Sequence, residues 1–284
     1  MTDETDDEDL IALAREWPAA TASSAPVYVD RSGRGTRRER ALASECPVSI
    51  TYNGLAHAVM MATPRDVEDF LVGFSLTEEI VRSAAEIESI DVRALELGLL
   101  GQVWIPADRQ KAMLEHRRNL VGQTSCGICG LVELEQAVRR YGPVSTVPRV
   151  DAAAVFAAFD ALPERQVLNR ETGAAHAAAF ADRTGRLVAV REDVGRHTAL
   201  DKLIGQLARE SIDPASGFVA MTSRISFELV QKCLSRGIPM LAGISVPTSL
   251  AVGLASTHGL SLVALARSDG FQVFADPHGL FPPH

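Results

Sequence analysis

Two short apolar runs, residues 48–52 and 55–61, flank Asn53-Gly54, a pair that tolerates positive φ at both positions of a tight turn, so the pattern predicts a β-hairpin. Next, Val67, Phe70, Leu71 and Phe74 recur at three- and four-residue steps, the spacing of one buried helix face. Thr63 is the predicted cap of that helix and Pro64 its first residue. Residues 103–105 predict a further strand and residues 108–119 another helix. Together these elements describe an α+β domain closing near Tyr141-Gly142-Pro143.

The rhythm changes after residue 150. A helix over 152–161 precedes two strands, 176–181 and 186–191, joined through Asp182-Arg183-Thr184-Gly185. Helix 198–209, strand 218–222, helix 225–236, strand 239–245, helix 249–257 and strand 260–266 then alternate, and residues 271–275 can add an edge strand. Such alternation predicts right-handed crossovers, a largely parallel sheet and a three-layer α/β/α domain. The expected division is a disordered acidic arm over 1–25, an N-terminal α+β domain over 26–143 and an α/β domain over 144–284.

Composition changes this picture little. A chain of 284 residues with 46% hydrophobic content can bury a substantial core. Its formal charge of -8 owes six units to Asp3, Glu4, Asp6, Asp7, Glu8 and Asp9, leaving a nearly neutral body with no global field for nucleic acid or anionic membrane. Residues 31–40 carry five arginines beside two glycines, the composition of a solvated loop or of a docking patch for an anionic partner. A basic, apolar leader and a membrane-length apolar run are both missing from the sequence, so a cytoplasmic location is expected.

Four cysteines, at 46, 126, 129 and 233, are too few and too uneven for a disulfide framework. Cys126 and Cys129 share a Gly-flanked loop ahead of Leu131, Leu134 and Val138, one face of a predicted helix. A thiol near a helix N-terminus is held as thiolate by free N–H groups and the dipole, which can lower its pKa from about 8.5 into the range of roughly 3.5–7.5. A thiolate of that kind can take sulfur from a donor persulfide. Half a zinc site and a thioredoxin-like redox pair use the same spacing; the first lacks two further ligands, and the second usually follows a βαβ strand. Cys233, on a helix, reads as packing.

The ends of the predicted strands supply the second chemical feature. They carry Glu192-Asp193-Val194-Gly195-Arg196-His197, Thr222-Ser223-Arg224, Ser245-Val246-Pro247-Thr248-Ser249 and Arg267-Ser268-Asp269-Gly270. Open α/β sheets bind ligands at that edge, where helix N-termini accept phosphates and Arg supplies bidentate donors, so His197, Ser223, Arg224 and Arg267 are candidate contacts for an anionic nucleotide. Thr198 and Ser249 also suit plain helix caps, Asp193-Gly195 a turn, and Arg196 a partner for Glu192.

In order along the chain, Tyr52-Asn53-Gly54, Met61-Ala62-Thr63-Pro64-Arg65-Asp66, Gly73-Phe74-Ser75, Cys126-Gly127-Ile128-Cys129-Gly130, Thr172-Gly173 with His176-Ala177-Ala178, the block Glu192–His197 with Ala199-Leu200-Asp201-Lys202, Ser223-Arg224 with Glu228, and Pro247-Thr248-Ser249-Leu250-Ala251-Val252 resemble the formate dehydrogenase accessory sulfurtransferases, the FdhD/NarQ family. The resemblance implies a sulfur carrier that takes sulfane sulfur from a cysteine desulfurase. Its acceptor would be the molybdenum (or tungsten) bis-guanine-dinucleotide cofactor destined for the formate dehydrogenase catalytic subunit. By the same likeness Cys126 bears the persulfide and Cys129 assists, while Leu265, Ala266, Arg267, Ser268, Asp269 and Gly270 form the cofactor-binding stretch, with no structural metal. A cytidine-deaminase-like α/β/α fold for the second domain and a homodimer are also implied. Deamination is not, because the H-x-E and later P-C-x-x-C pattern of zinc deaminases is missing. Three residues depart from the family pattern: its usual Gly-Phe is Ala264-Leu265 here, and a Gly of the cysteine loop is Ser125.

Overall fold

The computed structural model describes residues 16–121, 141–144 and 146–282. Cys126, Cys129 and the predicted helix that follows them lie outside the described residues.

Near the start of the described chain, β1 (Thr21–Ser24) pairs with β4 (Arg40–Ala43), and between them β2 (Val27–Val29) and β3 (Gly35–Arg37) make a separate two-stranded hairpin. Trp17 donates its indole N–H to the Pro64 carbonyl, 2.8 Å away. Ordered structure is therefore present inside the span 1–25 expected as a disordered arm.

The predicted hairpin is β5 (Cys46–Tyr52) and β6 (Leu55–Ala62), with Asn53 at φ 48° and Gly54 at φ 78°. Asn53 also donates to the Ile105 carbonyl at 2.9 Å and accepts the Ile105 N–H at 2.8 Å, which ties the turn to the residue just past the strand Gly98–Trp104. With β7 (Ser89–Leu95) and β8 (Gly98–Trp104) the sheet order is β6-β5-β8-β7, β5 and β8 running parallel. Helix α1 (Val67–Thr77) lies next to this sheet, with Val67, Phe70, Leu71 and Phe74 buried as the periodicity predicts. Its start is a correction. The helix begins at Val67 behind a left-handed Asp66, φ 53°, with no side-chain cap, so neither Thr63 nor Pro64 takes the predicted place. Helix α2 (Ala107–Val121) follows β8.

Beyond the undescribed segment come α3 (Ala152–Arg165), α4 (Val167–Thr172), β9 (His176–Asp182), β10 (Leu187–Asp193), α5 (Arg196–Arg209), β11 (Gly217–Met221), α6 (Phe227–Ser235), β12 (Met240–Gly243), α7 (Ser249–His258), β13 (Ser261–Arg267) and β14 (Gly270–Ala275). The six strands form one sheet in the order β10-β9-β11-β12-β13-β14. Only β11–β12 and β12–β13 are parallel pairs, while β9 is antiparallel to both neighbours and β14 is antiparallel to β13. A largely parallel sheet is thus corrected to a mixed one. The tight β9–β10 connection forces antiparallel pairing, since a parallel neighbour needs a long crossover.

Strand residues alternate between two cores. Ala177, Ala179, Ala181, Phe218, Ala220, Met240, Ala242 and Val263 pack with Val155, Ala158 and Leu162 of α3. Ala178, Phe180, Val219, Met221, Leu241 and Leu262 face the other way, with α5, α6 and α7, and this second core continues into α1 and the first sheet.

Where α1 meets α5 the backbones approach closely. A Cβ on Gly73 would overlap the Asp201 carbonyl, and one on Gly205 would overlap the Asp69 carbonyl, so only glycine fits on either side.

Candidate functional site

Because β10 and β11 are both antiparallel to β9, and β11, β12 and β13 are parallel, the C-terminal ends of β10 to β13 share one sheet edge. That edge gathers the four segments singled out from sequence. The turns after β11 and β12 are hydrogen-bonded to each other: the Ile225 N–H reaches the Val246 carbonyl at 3.4 Å, and the Thr248 N–H reaches the Ile225 carbonyl at 3.0 Å. Thr248 rather than Ser249 caps α7, its hydroxyl accepting the Ala251 N–H at 3.3 Å, and Gly195 rather than Thr198 precedes α5, with no side-chain cap.

The segment after β10 divides its labour. Glu192 accepts the N–H groups of Leu168 and Asn169 at 2.8 and 2.9 Å, satisfying the start of α4 instead of pairing with Arg196. Asp193, fully buried, lies 2.6 Å from Lys202 Nζ and accepts the N–H groups of Thr63 at 2.9 Å and Gly195 at 2.8 Å. Lys202 also donates to the Thr63 carbonyl at 2.9 Å; burial pushes its ammonium pKa down while Asp193 opposes the shift. These bonds fasten the start of α5 to the β6–α1 connection, and the Thr63 hydroxyl, the group expected to cap α1, instead accepts the Val194 N–H at 3.2 Å.

Arg196 and His197 remain for the edge. The Arg196 Nε is buried without a hydrogen-bond partner among the described residues. His197 Nε2 stands 3.3 Å from Ser226 Oγ and 3.7 Å from Glu228 Oε2. Burial, aided by the Arg196 charge, pushes the His197 pKa down, with Glu228 opposing, and the same two causes lower His176 at the start of β9. His176, Arg196, Ser226 and Glu228 were not among the predicted contacts. Their signal in sequence is indirect: His176 opens β9, Arg196 opens α5 just past β10, and Ser226 and Glu228 stand at the start of α6, positions that converge only once strand direction is known.

The other candidates sit apart along the edge. Ser223 is buried and spends its hydroxyl on the Arg224 carbonyl at 3.0 Å, whereas Arg224 is exposed. In the β13–β14 hairpin Arg267, Ser268 and Asp269 are exposed, Leu265 and Gly270 are half-buried, and Ala266 is buried. The β13–β14 register slips between Ala264 and Arg267, and Leu265 adopts φ 53°, a left-handed conformation that costs a branched residue about 1–2 kcal/mol.

A cavity of about 490 Å³ opens between α1, α5 and α6, lined by Phe74, Tyr141, His197, Phe227, Glu228 and Lys232 among others. Its polar floor is the Asp201–Lys232 pair, at 2.8 and 2.9 Å, joined by Thr77, which donates to Asp201 at 2.7 Å and accepts from Lys232 at 2.9 Å. Burial raises the Asp201 pKa, and Lys232 opposes that rise. Tyr141 immediately follows the undescribed segment 122–140, so this cavity is the part of the described structure nearest in sequence to the Cys126 loop that also contains an edge residue, His197. Both described cysteines are poor nucleophiles, since burial raises the thiol pKa of half-buried Cys46 and of fully buried Cys233.

A sequence model described as the FdhD/NarQ family matches residues 43–281. The chain belongs to the FdhD/NarQ family. It is 46% identical over 250 residues to the sulfur carrier protein FdhD of Xanthomonas euvesicatoria pv. vesicatoria, covering 88% of this chain and 89% of that one. The protein of the same name from Bordetella petrii is 43% identical over 248 residues, covering 87% and 89%. A crystal structure described as a formate dehydrogenase accessory protein from Desulfotalea psychrophila shares the fold, with a TM-score of 0.73, 23% identity and coverage of 93% of this chain and all of that one. The matched span includes Cys126, Cys129 and the Leu265–Gly270 stretch. Among the described residues no helix is long and apolar enough to cross a membrane.

Proposed function

We propose that this family member is a sulfur carrier acting in the maturation of formate dehydrogenase. It accepts a persulfide on Cys126 from a cysteine desulfurase and passes the outer sulfur to a molybdenum (or tungsten) bis-guanine-dinucleotide cofactor. Loading is an exchange at sulfur: the Cys126 thiolate attacks the outer sulfur of the donor persulfide, one S–S bond forms, another breaks, and the desulfurase leaves as its thiolate. Cys129 assists or resolves. Work in the cytoplasm as a homodimer, and a cytidine-deaminase-like ancestry for the six-stranded sheet, complete the reading.

The observation that carries it is the family match spanning Cys126, supported by curated relatives called sulfur carriers. The sheet edge supports the cofactor half. Exposed Arg224 and Arg267, the Arg196 guanidinium and the uncapped start of α5 are donors suited to diphosphate and guanine oxygens. Leu265, Ala266, Arg267, Ser268, Asp269 and Gly270 hold the guanine nucleotide in this reading, with His197, Ser223 and Arg224 beside it. The cofactor supplies the metal that receives sulfur; the chain's own residues bind its nucleotide ends and deliver the sulfur atom.

Mass spectrometry of the purified chain after incubation with a desulfurase and cysteine tests the proposal. A gain of one sulfur on Cys126, erased in Cys126→Ala, is the expected result. Loss of two hydrogens through a Cys126–Cys129 disulfide, with no added sulfur, would mark a dithiol redox protein instead.

A further inference from the structure

The β2–β3 hairpin poses a problem of its own. Every residue of both strands is exposed, with Val27, Tyr28 and Val29 at 57, 49 and 60%. An isolated two-stranded hairpin is marginal in water unless something covers it. Its charges are likewise uncompensated. Arg31, Arg34, Arg37 and Arg38 are all exposed, and among the described residues no carboxylate lies within ion-pair distance of any of them. The nearby Asp30 is committed to the turn, accepting from the Ser32 N–H and hydroxyl and from the Arg34 N–H at 2.8, 2.6 and 3.0 Å. Arg38 lies over the Tyr28 ring, 3.9 Å from its centroid. At the root, Arg40 donates to the Thr172 carbonyl at 3.2 Å, which anchors the arm to the body.

We propose that the chain's own acidic segment, Asp3 to Asp9, docks on this arginine hairpin. Charge complementarity is the first argument: the segment carries six carboxylates within seven residues, and the hairpin carries four guanidiniums with no ion-pair partner among the described residues, a combination suited to bidentate pairs. Reach is the second. Glu16 stands thirteen residues after Asp3, seven after Asp9 and thirteen before Val29, so in an extended tail the outer carboxylates of the segment reach the hairpin. Docking is intrachain, closes a short loop and is weakened by salt, because the paired groups are at the surface.

Limited chymotrypsin cleavage after Tyr28, followed by mass spectrometry, reads the cover directly. In low salt the full chain should be cut about fivefold more slowly than a chain lacking residues 2–9, as cleavage tracks the uncovered population. About 0.5 M sodium chloride should abolish the difference. R34E/R37E should behave like the truncation, and it leaves Arg38 on Tyr28. Tyr52, fully buried, should stay uncut throughout and report that the body is folded. Equal cleavage of the full and truncated chains would overturn the proposal, as would protection that rises with protein concentration, which would assign the cover to a second copy.

Discussion

At the α1–α5 contact every buried charge is spent: Asp193 on Lys202, Asp201 on Lys232, and Asp69 on Arg191 and Arg209 at 2.6 Å each. At the sheet edge, reached through the same stretch of α5, charges stand open: Arg196 has a buried Nε without a hydrogen-bond partner among the described residues, and Arg224 and Arg267 are exposed. The two regions interleave in sequence, since Asp193, Asp201 and Lys202 face the contact while Arg196 and His197 face the edge. A single conspicuous block therefore does two jobs, and its carboxylates are structural. Buried pairs are costly to desolvate but far costlier to break singly, which suits a seam, whereas a ligand edge needs donors with capacity to spare.

The comparison breaks first at the glycines. Gly73→Ala should cost about 3 kcal/mol or more, because the new Cβ meets the Asp201 backbone and neither helix can move without parting the ion pairs; a shift in the urea midpoint measures it. Next, Lys202→Met should cost about 3–5 kcal/mol by stranding the Asp193 charge, with much of the loss recovered in Asp193→Leu/Lys202→Met. Arg267→Ala should leave the midpoint in place yet weaken GDP binding about tenfold by calorimetry, without changing persulfide loading. Unchanged affinity would move the nucleotide elsewhere. The smallest effect is in pH. His176 and His197 have folded pKa values below the usual imidazole value, so between the two the unfolded chain binds more protons and stability falls as pH drops from neutrality. Thermal midpoints at pH 7.5 and 5.5 should show this, and His197→Gln should shrink the difference.

Local rules were enough for what local sequence controls. Asn53-Gly54 gave the hairpin because both φ values are positive, and the three- and four-residue spacing through Phe74 gave the buried face of α1. The start of α1 was hidden, because Thr63 is engaged by Asp193 and Val194, about 130 residues away. The β9–β10 hairpin was legible from its polar turn Asp182–Gly185, and the parallel run β11–β12–β13 from the helix–strand rhythm; that β9 lies between β10 and β11, which makes the sheet mixed, was not, because strand order is set by tertiary packing. The edge was nonetheless legible, since two antiparallel steps restore the direction of β10. Its donors were legible only in part: Arg196 looked like a partner for Glu192, and only the fold shows Glu192 bound to the start of α4.

Sulfur delivery is tested most directly by loading the chain with radiolabelled persulfide and mixing it with formate dehydrogenase that carries the sulfur-free cofactor. The account predicts that label leaves Cys126, appears with the client's cofactor, and that formate oxidation rises in proportion. Full activation by the Cys126→Ala chain, with no label moved, would contradict it.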